Sequence, residues 1–147
     1  MEKTTDIARQ IVQSLMYQND AFSQWLGIEI LDVKEGYCAL SMTVRKDMTN
    51  GFGISHGGII YAFADSALAF ASNSYGEQAL SIETQISHVR KVNIGDVLHA
   101  VTIEKHKSRR FAIYEVEVKN QGGELVGLFK GTVYKTGNNW DLSQSGE

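Results

Sequence analysis

The sequence predicts an α+β fold in which a curved antiparallel sheet wraps around one long central helix. Three features lead there: a helical segment over residues 57–74 that is apolar on nearly every face, four strand-like segments after it with no helix between them, and two strands before it. A helix without a polar face must be covered by the rest of the chain. Strands joined directly by short turns pair antiparallel, because parallel pairing needs a crossover.

The elements follow in order. Residues 6–18 fit an amphipathic helix, with Ile7, Ile11 and Leu15 at four-residue spacing and Thr5 or Asp6 placed to cap it. Gly27 and Gly36 bracket a short strand over residues 28–34. In the next strand, 37–45, Cys38, Leu40, Met42 and Val44 alternate with other residues. Asn50-Gly51 and Gly53 mark residues 46–56 as a loop ahead of the central helix. Strands are then expected at 79–88, 97–107, 111–119 and 124–135, divided by Asn93-Ile94-Gly95-Asp96, Ser108-Arg109-Arg110 and Asn120-Gln121-Gly122-Gly123. The polar residues from Gly137 onward, a tail over 137–147, are expected to fray. With no internal repeat or linker, the 147 residues make one domain.

Composition narrows the function classes. A formal charge of −3 gives no general basic field for nucleic acid, so any anion site must be local. The single cysteine, Cys38, excludes an internal disulfide framework and, lying in a strand pattern, reads as a packed core thiol rather than a nucleophile. The N-terminus lacks a basic start and apolar run, and the longest apolar stretch, 59–71, is interrupted by Asp65 and Ser66 and is too short to span a bilayer. No membrane association is expected, and a cytoplasmic location is. His88, His99 and His106 have no acidic or cysteine partners at ligand spacing, so they read as structural or exposed; no metal and no cofactor are implied.

Chemistry concentrates in residues 50–67. Paired glycines, Gly57-Gly58, open the apolar helix. The first N–H groups of a helix lack internal partners and carry partial positive charge, and without side chains a ligand oxygen can approach them. A plain turn before a helix would look the same. Asp65 lies inside the most apolar helix, and a buried carboxylate is costly unless paired, hydrogen-bonded or protonated. No lysine or arginine occurs between Lys46 and Arg90. Asp65 could bond a distant strand, face water at a subunit boundary, or act chemically. Gly57 and Asp65 are eight residues apart, about 12 Å along a helix, whereas reacting atoms must come within about 3–3.5 Å. Two antiparallel copies of the helix across a two-fold axis would bring Asp65 to the partner's Gly57, so the spacing points to a composite site in a dimer.

The pattern Asn50-Gly51…His56-Gly57-Gly58…Ala64-Asp65-Ser66-Ala67 resembles the phenylacetate-degradation-type (hydroxyphenylacetyl-CoA-like) thioesterases of the hotdog superfamily. Leu26-Gly27-Ile28, Gly95-Asp96 and Gly127-Leu128-Phe129-Lys130-Gly131 support the likeness, which covers residues 22–137. The resemblance implies the hotdog fold, hydrolysis of an acyl-CoA or aryl-CoA thioester, and a homodimer at least, with a homotetramer favoured. Carried over, Asp65 is general base or nucleophile, the Gly57 N–H stabilises the oxyanion, and Asn50 and His56 position the thioester and the helix entrance. Gly58, Ser66 and Ser81 border the substrate, with Ser66 and Ser81 the candidates for orienting water. Ser81 reads equally as a strand-edge hydroxyl. Cations for the CoA phosphates are sought at Arg90 and Lys91 and at Lys107, Arg109 and Arg110. The family often has proline where this chain has Lys91 and glycine where it has Ser108. Phe52, Tyr61, Phe63 and Phe70 suggest an aromatic acyl pocket, or simply core.

Competing readings remain. Gly53-Ile54-Ser55-His56-Gly57 matches G-x-S-x-G, yet that motif belongs to a parallel sheet with crossover helices that this chain lacks. A hotdog hydratase or dehydratase would need a histidine beside the carboxylate, and His56 lies at the helix entrance instead. A non-catalytic acyl-CoA-binding hotdog module would have no use for Asp65.

Overall fold

The computed structural model describes residues 1–146. Helix α1, Glu2–Gln10, continues through a wider π-helical turn, Ile11–Met16, and a tight turn, Tyr17–Asn19. It starts earlier than expected, at Met1 with no side-chain cap, so neither Thr5 nor Asp6 caps it. A second helix that periodicity did not reveal, α2 (Ala21–Leu26), is capped by Asp20, whose carboxylate accepts from Ser23 N–H, and ends at Gly27 in the left-handed conformation. The strands are β1 Glu29–Lys34, β2 Tyr37–Thr43, β3 Glu77–His88, β4 Val97–Lys107, β5 Phe111–Lys119 and β6 Leu125–Asn139; the central helix is α3, Gly57–Asn73.

All six strands join one antiparallel sheet in the order β1-β2-β4-β5-β6-β3. Helix α3 touches every strand from β2 to β6, which only a sheet curved around it permits. Phe63, Phe70, Leu68 and the alanines 64, 67 and 71 are buried against Leu40, Leu98, Val116 and Phe129. Burial of each large side chain contributes about 1.5–3 kcal/mol.

Two glycines of β6 let helix and sheet approach closely. A Cβ on Gly131 would lie 2.4 Å from Leu68 Cδ2, and one on Gly127 would lie 3.3 Å from Ile60 Cγ2. The Gly127-Leu128-Phe129-Lys130-Gly131 run is thus the floor under α3.

The C-terminal end of α3 is fixed by Asn73. Its side chain bonds Ala79 N–H and C=O and accepts from the Trp140 indole. Strand β6 consequently runs on to Asn139, through residues expected to fray, and a short turn follows at Leu142–Gln144. Chain polarity suggested a loose tail; contact with residues 60 positions away holds it.

Cys38 is buried, its thiol donating to Ala67 O at 3.1 Å. Burial pushes its pKa up to about 12, as a core thiol requires.

Candidate active site

The loop before α3 is built to hold the helix entrance. Asn50 Oδ1 accepts from Phe52 N–H, and Gly53, at φ 76°, turns the chain so that Asn50 N–H reaches Ile54 O. Ser55 N–H and His56 N–H then donate to Val92 O and Met48 O, both at 2.8 Å. Ser55 is buried, with its hydroxyl directed to a backbone carbonyl 3.4 Å away. That carbonyl is His56's own; among the described residues no imidazole ring bonds the Ser55 hydroxyl and no strand–turn–helix elbow lies beneath it, which removes the G-x-S-x-G reading.

His56 caps α3. Its Nδ1 accepts from Gly58 N–H at 2.8 Å, so in the neutral ring the proton resides on Nε2. Ile59 N–H goes to His56 O. Among the described residues no hydrogen bond takes the Gly57 N–H, and Gly57 lines an open cleft of about 340 Å³ with Asn50, Ile60, His88, Arg90 and Lys91. Each glycine of the pair leaves room for a histidine. A Cβ on Gly58 would lie 3.0 Å from His56 Nδ1, and one on Gly57 would lie 3.2 Å from His88 Nε2.

Asp65 is two turns further along α3 and half-buried, with no ion pair or hydrogen bond among the described residues. Desolvation raises its carboxyl above the ordinary value, and the negative charge of Asp20 raises it further. Asp20 escaped the sequence reading. It approaches Asp65 because α2 packs on α3 through a hydroxyl chain: Ser66 Oγ lies 2.8 Å from Ser23 Oγ, which donates to Asp20 Oδ2 at 2.5 Å. The Ser66 hydroxyl is therefore turned toward α2 and engaged there.

The remaining candidates scatter within one chain. Ser81 is exposed on β3, one of the two edge strands. Arg90 pairs with Glu124 at 2.6 Å beside the cleft, near Lys91. Lys107, by contrast, lies over the Tyr75 ring just past the far end of α3, and Arg109 and Arg110 line a groove there with Glu77 and Lys135. A more enclosed cavity of about 310 Å³, lined in part by Tyr75, Lys107 and Tyr114, also belongs to that end. The 17 residues of α3 put it about 25 Å from Gly57, so a single chain does not bring Lys107 and Arg109 to the Gly57 cleft. The aromatic set divides too. Phe63 and Phe70 are core, Tyr61 bonds Thr84 through its hydroxyl, and Phe52 is exposed. An aromatic surface instead comes from the stacked Phe22–Trp25 pair of α2, which borders a groove with Thr49, His56, Gly58 and Ile59. Among the described residues no three His, Cys, Asp or Glu side chains group as metal ligands.

An antiparallel sheet wrapped on one buried central helix defines a class, the hotdog-fold proteins. The chain belongs to the Thioesterase superfamily, whose family model matches residues 52–127. It is 37% identical to the Escherichia coli acyl-coenzyme A thioesterase PaaI over 83% of this chain and 87% of that protein. A protein of Archaeoglobus fulgidus is 42% identical over 84% of this chain and 80% of its own. The solved structure of the E. coli PaaI protein, from the phenylacetic acid degradation operon, superposes with a TM-score of 0.86 at 34% identity, covering 90% of this chain and 98% of that one. The chain is thus a thioester hydrolase similar to PaaI.

Proposed function

We propose that this enzyme hydrolyses acyl-CoA thioesters, aryl-CoA esters in particular, at a site shared between two subunits. The observation that carries the reading is the Gly57 N–H, without a partner among the described residues, at the start of α3 where Gly57 lines an open cleft in which a thioester carbonyl could accept from it. Asp65 of the partner subunit takes a proton from water, whose oxygen adds to the carbonyl carbon; the C–S bond breaks, the proton passes to sulfur, and CoA leaves as the thiol with the free acid. If Asp65 attacks the carbonyl itself, CoA leaves as the thiolate and water then hydrolyses the anhydride formed on Asp65. Asn50 and His56 hold the entrance. Burial suits Asp65 to this work, because a carboxylate with a raised pKa is a stronger base.

The dimer has a geometric rationale. Strand β3 leaves one edge unpaired, with Leu80 and Ile82 exposed on it, and such edges pair with a second chain or aggregate. Its most exposed stretch, residues 80–88, is centred on Thr84. Thr84 meets the Tyr61 hydroxyl, and Tyr61 lies midway along α3 between Gly57 and Asp65. A single two-fold axis at Thr84 and Tyr61 would pair the two free edges antiparallel and also set each Asp65 beside the partner's Gly57. It would bring the partner's Ser81 toward the Gly57 cleft as well. The same axis would carry the partner's Arg109 groove toward Arg90 and Lys91, uniting the two groups of cations available to the CoA phosphates. A homotetramer built from two such dimers fits the resemblance. The Phe22–Trp25 pair supports the aryl preference, as does the likeness to a protein of the phenylacetic acid degradation operon. No described helix is long and apolar enough to cross a membrane; a cytoplasmic location belongs to this proposal.

Thiol release from a panel of aryl- and fatty acyl-CoA esters tests the reading. The best turnover is expected with an aryl ester. Tight binding of the esters with no thiol released from any of them would overturn it in favour of a binding module.

A further inference from the structure

The structure assigns a role to His88, the last residue of β3: we propose that its imidazole is a second hydrogen-bond donor to the thioester carbonyl, beside the Gly57 N–H. This rests on the proposed reading of Gly57 as the carbonyl's first donor. The two histidines at the paired glycines have different duties. His56 crowds Gly58 because it caps the helix there. His88 approaches Gly57 from the sheet, its Nε2 3.2 Å from where a Cβ would be, and makes no hydrogen bond or ion pair among the described residues. In a helix the Cα–Cβ direction leans toward the N-terminus, the end to which the free N–H groups also point. The imidazole edge therefore borders the space in which an oxygen bound to the Gly57 N–H must lie, and it lines the same cleft.

The chemistry calls for such a group. The carbonyl oxygen gains charge as its carbon becomes tetrahedral, and it has two lone pairs to satisfy. One helix N–H meets one of them. Arg90, in the same cleft, is already paired with Glu124. His88 also comes from a strand rather than a loop. Its backbone is in register with Gly127, and the next residue donates Val89 N–H to Val126 O at 3.0 Å. A donor held this way needs little rearrangement during the reaction. In this role the ring donates a hydrogen bond and transfers no proton.

The test compares wild type with His88→Ala and His88→Gln in thiol release from an aryl-CoA ester, with Asp65→Asn in the same assay. Glutamine can set its amide N–H near the place of Nε2–H and largely keeps the packing. The expected result is a kcat lower by about 10²-fold in His88→Ala, the loss typical of one oxyanion donor, with KM nearly unchanged and most of the rate restored in His88→Gln. Wild-type kcat in His88→Ala, with Asp65→Asn impaired, would overturn the role of His88 alone. Equal impairment of Ala and Gln variants would make the ring a packing element and also overturn it. Should Asp65→Asn turn over like wild type, the reading of the whole site falls, and this inference with it.

Discussion

A site shared between subunits predicts that two inactive variants restore each other. Asp65→Asn removes the carboxylate. Gly57→Val adds a Cβ 3.2 Å from His88 Nε2 and projects its methyl groups into the cleft where the carbonyl must bind. Within one chain the two positions are eight residues apart on α3, about 12 Å along its axis, too far to act on one carbonyl. In a mixed dimer, one site joins the intact Gly57 of the first variant to the intact Asp65 of the second, while the other site carries both defects. Random pairing makes half the dimers mixed, and one site in two of those is intact, so the mixture should show about a quarter of wild-type activity. Co-expression followed by a thiol-release assay measures this directly. A mixture no more active than the separate variants would place each site within one chain and refute the two-fold arrangement.

Asp20→Asn keeps a good helix cap for α2 but removes the charge that adds to desolvation in raising the Asp65 carboxyl. Asp65 must be ionised to act, so activity fails as pH drops through its raised pKa; removing Asp20's charge lowers that pKa, and the acid limb of kcat/KM should move to lower pH. An unmoved limb would mean that Asp20 does not act on the catalytic carboxylate. Gly131→Ala forces a Cβ to 2.4 Å from the buried Leu68, overpacking expected to destabilise by about 1–3 kcal/mol and to lower Tm by about 2–4 °C per kcal/mol; an unchanged Tm would contradict the close approach of α3 to β6. Cys38, with its pKa pushed up to about 12, should resist alkylation at pH 8 in the folded enzyme and react once denaturant is added, as mass spectrometry would record.

Local signals in the sequence account for most of the fold. Strands β4 and β5 match their expected bounds because clean alternation runs between unambiguous turns, and α3 begins at Gly57 as its glycines and apolar run indicate. Helix α2 was hidden because six residues are too few for periodicity, although Asp20 three positions before Ser23 and Gly27 at its end are its capping signals. The end of β6 was misread because Thr136, Gly137 and Asn138 carry no apolar side chain; the partners of Thr136 and Gly137, Gln78 and Glu77, are remote in the chain.

Within the candidate site, the sequence reading rested on Asn50 to Asp65, one contiguous segment whose spacing along α3 a helix dictates. His88 was passed over because nothing local marks a strand histidine; only the wrapping of β3 along α3 sets it against Gly57. Phe63 and Phe70 could not be divided from pocket aromatics, since a helix apolar on every face does not announce which side is lined by core. The separation of Lys107 and Arg109 from the cleft depends on the length of α3, which opposes the two ends of the sheet.

Side-by-side thiol release by wild type and Asp65→Asn, with an aryl-CoA ester and matched Tm, shows whether Asp65 drives thioester hydrolysis. The substitution preserves shape and removes the base. A loss of about 10²-fold or more in kcat is the predicted result; equal rates would make Asp65 a structural residue and contradict the mechanism.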